Sequence, residues 1–220
     1  MTGNQLKILA MIAMTCDHVG LQLLPQVPAL RLIGRLALPV YAFLIAEGCR
    51  YTRNKRKYLL RMLGMAALCQ LVYFFAMGSL YQCILVTFSL SICLIWTVDE
   101  AVKKRDVLSV LLALAVFAGA FVICEVLPVV LNDTDFYVDY GSCGVLLPVF
   151  VYFGKPKWLG LLIGLNLLGL YYGGTQWLAL AAVPLIWFYN GKRGKYSLGK
   201  WFYWYYPAHL AAIYGISLVI

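Results

Sequence analysis

Charge is what this chain has least of. Charged residues make up 12% of its 220 positions, about half of what a soluble domain carries. Hydrophobic residues make up 63% and the mean hydropathy is +0.83, which excludes a soluble globular domain. Acidic residues are scarcer than basic ones, nine against 18, and there are only two histidines. The seven cysteines, Cys16, Cys49, Cys69, Cys83, Cys93, Cys124 and Cys143, contain no CxxC pair. Most lie in apolar runs, where a thiol behaves as a small hydrophobe, so neither a disulfide framework nor a cysteine metal site is expected. No polar interval is long enough to hold a second, soluble domain, and one domain over 1–220 is expected. No internal repeat is visible, which leaves an inverted-repeat transporter without support. The N-terminus lacks the charged start of a signal peptide, and Asp17-His18 interrupts any apolar leader.

What is present is a succession of apolar runs. A helix needs roughly 20 apolar residues to cross a hydrocarbon core of about 30 Å. Runs of that kind fall at 6–24, 32–49, 58–77, 80–98, 107–131, 141–154, 158–172, 176–189 and 201–219. The sixth is short for a crossing and reads as a broken span. The expected fold is therefore all-α: a polytopic transmembrane helical bundle of about nine spans with a cytoplasmic N-terminus. Pro39 is expected to kink the second span.

The distribution of basic residues tests that count. With the N-terminus inside, Arg50, Arg53, Lys55, Arg56, Lys57 and Arg61 fall inside after the second span. Lys103, Lys104 and Arg105 do so after the fourth, and Lys155 and Lys157 after the sixth. Lys192, Arg193, Lys195 and Lys200 follow the eighth, and Lys7 starts the first. Only Arg31 and Arg35 remain. The segment 132–140 carries three aspartates and no base, and it lands outside. The net charge of +9 thus reports topology rather than a nucleic-acid partner. Trp201, Tyr203, Trp204, Tyr205 and Tyr206 read as an aromatic belt.

Ionisable residues inside apolar spans are costly and mark functional sites. Here they are Asp17, His18, Arg31, Arg35, Glu47, Glu125 and His209. Both histidines fall near mid-membrane, His209 just after Pro207, and histidine moves protons most readily near neutral pH. Arg31 and Arg35 share one helix face. Asp17 and His18, as chain neighbours, point differently, so Asp17 either orients His209 or pairs with Arg35. Glu47 either snorkels to the inner interface or pairs with Arg50. Glu125 is expected to face headgroups. The basic loop 50–61 either holds anionic lipid or receives the phosphates of coenzyme A. Two histidines and an aspartate without ligand spacing do not suggest a metal.

Four segments carry a resemblance: LKILAMIAMTCDHVG (6–20), RLIGRLALPVYAFLIAEGCRYTRNKRKYLLRM (31–62), DYGSCGVLLP (139–148) and FYWYYPAHL (202–210). In order and spacing they resemble the TraX family, named for a conjugation protein that acetylates the N-terminus of pilin. The resemblance implies an integral-membrane acyltransferase of the bacterial cytoplasmic membrane, using acetyl-CoA or another acyl-CoA and no metal. It picks out Asp17, His18, Arg35, Glu47, Gly48, Asp139, Tyr140 and His209. The chain departs from the family pattern at Leu38 and Tyr41, where phenylalanine is expected, and at Cys83, where asparagine is expected.

Together these readings give His18, His209, Asp17 and Arg35 as catalytic candidates. Arg31, Glu47, Asp139 and Tyr140 are candidates for the acceptor. Arg50, Arg53, Lys55 and Lys57 are candidates for the nucleotide end of acyl-CoA. The expected partners are membrane lipid and an acyl acceptor: a peptide N-terminus, a glycan or a small molecule. The competing class is a proton-coupled transporter, which buried His, Asp and Arg would also suit.

Overall fold

A computed structural model describes residues 1–195, 199 and 201–219, with backbone alone at 76, 77 and 203. Regular structure among them is helical apart from one isolated bridge between Gln82 and Val138. The inner placement of Lys200 and the Tyr203 side chain of the aromatic belt lie outside the described residues. Among the described residues, four stretches are long and apolar enough to cross a membrane by length and composition: Pro28–Tyr51, Lys55–Phe75, Ile84–Lys104 and Val107–Val130. They coincide with the second to fifth expected spans. The other five expected spans are helical too, as shorter or less apolar segments.

The chain forms two compact units, Met1–Leu44 with Gly154–Ile220, and Ile45–Phe153. In the first, α1 (Gly3–Gln22) begins at a capping box in which Thr2 and Gln5 satisfy each other's backbone N–H. A turn through Pro25 leads to α2 (Pro28–Gly34), with proline in its first turn, where no N–H is needed. The second expected span does not run unbroken from 32 to 49. It stops at residues 35–36 and restarts as α3 (Ala37–Tyr51). Pro39 explains the break: it has no N–H to donate, and its ring would strike the carbonyl of residue 35 in a continuous helix. The core gathers Leu6 and Ala10 of α1, Val40 and Phe43 of α3, and Leu161, Leu165 and Leu168 on one face of α9 (Lys157–Tyr172). A 3₁₀ segment, Gly174–Ala181, and the short α10 (Ala182–Trp187) follow, then α11 (Trp201–Ser217).

In the second unit, α4 (Lys55–Met77) starts on the Asn54 side chain and ends at Gly78, whose left-handed φ of 65° suits glycine. It is followed by α5 (Ile84–Lys104) and α6 (Val107–Phe121), the latter capped by Asp106. A π-helical turn, Val122–Val126, continues α6 into α7 (Leu127–Val130). The last helix is α8 (Gly141–Phe153). Phe88, Ile92 and Ile95 of α5 and Leu147 and Val151 of α8 are buried, and the Ser91 hydroxyl donates to the Val145 carbonyl at 2.8 Å. Glu125 does not simply face headgroups. Its carboxylate accepts from the Ser142 N–H at 2.9 Å and the Ser142 hydroxyl at 2.6 Å, capping α8. Without that partner the first turn of α8 would leave donors unsatisfied.

Candidate active site

The first unit brings five of the sequence candidates together. Asp17 on α1 meets α2 because residue 34 is glycine: a Cβ there would fall on the Asp17 carboxylate. Gly20 allows a similar approach one turn later, where a Cβ would stand 2.8 Å from Leu30. At this separation the Asp17 carboxylate accepts from Arg31 at 2.7 Å and from Arg35 at 3.2 Å. The two arginines lie one helical turn apart, so they reach the same carboxylate from one side.

Arg35 sits at the break between α2 and α3, and its side chain is only 12% exposed. Besides Asp17, it donates to the Gln176 side-chain carbonyl at 3.0 Å and, weakly, to the Arg31 carbonyl at 3.4 Å. Gln176 comes from the 3₁₀ segment and is 5% exposed; its amide nitrogen is buried without a hydrogen-bond partner. Arg31 is 35% exposed, which makes it the guanidinium a ligand can reach. The alternative in which Asp17 pairs with arginine is the one the structure adopts, with Arg31 added to Arg35.

His18 and His209 face each other from α1 and α11. His209 Nε2 lies 3.1 Å from His18 Nδ1. His18 Nδ1 is also 3.0 Å from the Met14 carbonyl, and His209 Nδ1 is 2.9 Å from the Tyr205 carbonyl. Carbonyls only accept, so with both rings neutral each Nδ1 carries the proton. His209 Nε2 then accepts from the shared His18 Nδ1–H, and the lone pair on His18 Nε2 points elsewhere. The Tyr205 ring stacks on His209 at 5.2 Å and 7°, and Tyr206 meets it edge-on. Thr15 hydrogen-bonds the Tyr205 hydroxyl at 2.5 Å. Such an arrangement leaves one imidazole nitrogen able to accept a proton and a hydrogen bond linking the two rings.

The remaining candidates belong to the second unit. Glu47 pairs with Arg50 at 2.6 Å rather than snorkelling. Arg50 also donates to the Val151 carbonyl at 2.8 Å and to the Tyr152 carbonyl, closing the C-terminal turn of α8. Arg53, Lys55 and Lys57 are exposed, with Lys55 lying 5.7 Å over the Trp96 ring. Asp139 uses its backbone on the neighbouring segments: its N–H donates to Gln82 at 3.0 Å and its carbonyl accepts from Thr87 at 2.7 Å. Tyr140 takes a left-handed φ of 58°, uncommon for a non-glycine residue, and Gly141 follows at 50°. These two residues turn the chain into α8. Cys83 is fully buried beside the Cys69 thiol.

Sequence reasoning missed Gln176, Thr15 and Tyr205. Gln176 opens the eighth apolar run and looked like a boundary residue, while Tyr205 was absorbed into the aromatic belt. A polar side chain at the edge of an apolar run carries no sign of which way it faces.

Among protein families, the chain matches the model described as TraX protein over residues 2–217. It is 28% identical over 248 residues to the probable fimbrial assembly protein FimC, serogroup H1, of Dichelobacter nodosus, covering 98% of this chain and 96% of that protein. A 38-residue stretch is 58% identical to an uncharacterized protein of Rickettsia prowazekii (strain Madrid E), covering 17% of this chain and 15% of that one. No solved structure matches.

Proposed function

The chain belongs to the TraX family, and on that premise we propose that it is an integral-membrane acyltransferase of the bacterial cytoplasmic membrane. It moves an acyl group, acetyl in the simplest case, from cytoplasmic acyl-CoA to an amine or hydroxyl at or beyond the membrane. The observation that carries this reading is the His18–His209 pair, with its free His18 Nε2, following in the chain the half-buried carboxylate that holds Arg31 and Arg35. The fimbrial-assembly name of the Dichelobacter relative supports a peptide N-terminus as the acceptor, ahead of a glycan or a small molecule. A nine-span arrangement with its N-terminus inside, as the basic loops suggest, would bring acyl-CoA from one side and the acceptor from the other.

In this reading His18 Nε2 takes the proton of the acceptor as its nitrogen or oxygen attacks the thioester carbonyl. The Nδ1 proton passes to His209 Nε2, whose new charge lies against the stacked Tyr205 ring. The carbon–sulfur bond of the tetrahedral intermediate then breaks, and the returning proton leaves with the thiol. Arg31, the exposed guanidinium of the cluster, faces the developing oxyanion or an anionic group of the acceptor. Asp17 and Arg35 hold it in place, and the Gln176 amide offers a further donor. Asp139 and Tyr140 remain candidates for acceptor contacts, and Arg53, Lys55 and Lys57 for anionic headgroups or acyl-CoA.

The test is thiol release from acetyl-CoA by the purified protein in detergent, wild type against His18→Ala, with and without a pilin-like peptide. Release by wild type alone, stimulated by peptide, is expected. Equal release by a folded His18→Ala protein defeats the assignment of the base. No release, together with proton-coupled solute uptake into proteoliposomes, would move the protein to the transporter class.

A further inference from the structure

The turn between α4 and α5 brings two thiols together, and the acyl-transfer reading uses neither. After Gly78 the chain folds back along the last turns of α4. The Ser79 N–H donates to the Tyr73 carbonyl at 3.3 Å, and the Gln70 amide to the Ser79 carbonyl at 3.2 Å. The Tyr81 ring then meets the Tyr73 ring edge-on at 6.0 Å. This brings Cys83, the residue that caps α5, level with Cys69 on α4. The Cys69 S–H donates to the Cys83 sulfur, which also accepts from the Leu85 and Val86 N–H groups at the start of α5. The two cysteines are 2% and 0% exposed. Sulfurs in hydrogen-bond contact stand on side chains that converge, the first condition for a disulfide.

A second observation concerns the side of the membrane that the pair faces. α4 starts at the loop 50–61, which holds six basic residues, and the 78–83 turn lies at its far end. That turn is tied to 132–140, the segment with three aspartates and no base. The Gln82 N–H donates to the Tyr137 carbonyl at 2.8 Å and the Asp139 N–H to the Gln82 carbonyl at 3.0 Å. The Leu80 N–H donates to the Asp135 carboxylate at 2.8 Å. Two turns that the positive-inside pattern assigns separately to the outer face are therefore joined in the fold. The outer face of a bacterial cytoplasmic membrane meets an oxidising compartment, where paired thiols become disulfides.

We propose that Cys69 and Cys83 are joined by a disulfide in the membrane-embedded protein, made by exchange with an outer-side disulfide oxidant. Cys83, whose sulfur is met by backbone N–H groups, attacks the oxidant's disulfide as the thiolate. A mixed disulfide forms and one thiol of the oxidant leaves. The Cys69 thiolate then attacks the Cys83 sulfur, the bond within the chain forms, and the second thiol leaves. The pair gives up two electrons and two protons, and the oxidant becomes a dithiol. Both sulfurs are sealed in the folded unit, so the exchange belongs to folding, before α4 and α5 close on each other. The bond closes residues 69–83 into a ring and fastens the outer turn to α4, which makes it a structural crosslink. Cys49 is the contrast within the same unit. Cys93 is close enough to be felt there, but Cys49 adjoins Arg50 at the basic end of α3, on the reducing side, and stays a thiol.

The experiment counts thiols in the full-length protein. Membranes are quenched in acid without reductant and dissolved in SDS with N-ethylmaleimide, which alkylates every free thiol. A phosphine then opens disulfides, a maleimide of a second mass labels the thiols released, and the peptides are read by mass spectrometry. Two of the seven cysteines, Cys69 and Cys83, should carry the second label, and Cys49 and Cys93 the first. A parallel digest without phosphine should contain the Cys69 peptide joined to the Cys83 peptide. Neither measurement needs a variant, so neither depends on an altered chain folding. The first label on Cys69 and Cys83, or either one joined to a different cysteine, would overturn the pair. The result is independent of acyl transfer, which thiol release from acetyl-CoA tests.

Discussion

Each unit buries a carboxylate against an arginine, and the two pairs are finished differently. In the unit 45–153, Arg50 holds Glu47 and spends its other donors on the Val151 and Tyr152 carbonyls at the end of α8. Every partner there is part of the scaffold. In the other unit Asp17 holds Arg31 and Arg35, but Arg31 stays 35% exposed and the Gln176 amide nitrogen has no partner. On the next residue of α1, His18 Nε2 keeps a free lone pair. An arginine that closes on backbone carbonyls stabilises the scaffold; one that stays open to its surroundings can meet a ligand.

The comparison breaks most sharply at His18. His18→Gln should lower kcat for acyl transfer by about 10²–10⁴, the usual contribution of a positioned base, with the thermal midpoint little changed. A loss of folding instead would make the histidine pair scaffold like Arg50. The converse is expected of Arg50→Gln. Leaving Glu47 buried and uncompensated should cost about 3 kcal/mol of stability, the low end of the range for buried pairs because Arg50 keeps 19% exposure. Turnover per folded molecule should stay close to wild type. Denaturation followed by circular dichroism separates the two outcomes, and a turnover defect without a stability defect would erase the distinction drawn here.

A subtler change sharpens it. Gly34→Ala puts a Cβ against the Asp17 carboxylate, and an overpacked contact of this kind costs about 1–3 kcal/mol. Much of that cost should appear in turnover, because displacing Asp17 moves both arginines. Gly78→Ala, at the end of α4, has open space around it but a left-handed φ. It should lower stability by about 1 kcal/mol and leave turnover alone. Equal turnover losses in both variants would mean that Gly34 has no special link to the site.

Much of this is legible in the amino-acid sequence. Asp17, His18, Arg31, Arg35 and His209 stood out because ionisable groups within apolar runs must find one another or water. Which of them pair was not legible. That depends on residues with little signal of their own: Gly34, which lets α2 approach Asp17, and Pro39, which breaks the helix at Arg35. Nor does an apolar run say whether it forms one long helix or, as at 176–189, a 3₁₀ turn followed by a short helix. The Glu125–Ser142 cap was invisible for a similar reason: the partners are 17 residues apart, and only the fold brings them together.

The smallest expected effect lies at Asp135, in the loop the positive-inside pattern places outside. Its carboxylate accepts from the Ser79 hydroxyl and from the Leu80 N–H, the latter at 2.8 Å. These two donors, the hydroxyl first, hold it below the ordinary carboxylate value of 3.8. A depressed carboxylate stabilises the folded state above its ordinary pKa, and the contribution fades as pH falls through the lower, folded value. Asp135→Asn should therefore lower the thermal midpoint slightly at neutral pH, and the gap to wild type should close as the pH falls below about 4. A gap that persists unchanged to low pH would mean that Asp135 contributes by the shape of its hydrogen bonds rather than by charge. Because Asp135 is fully exposed, acyl transfer should not respond to this substitution. It thus measures how far an exposed loop tied by one carboxylate differs from the cluster around Asp17, where the carboxylate is 19% exposed and its charge interactions are stronger.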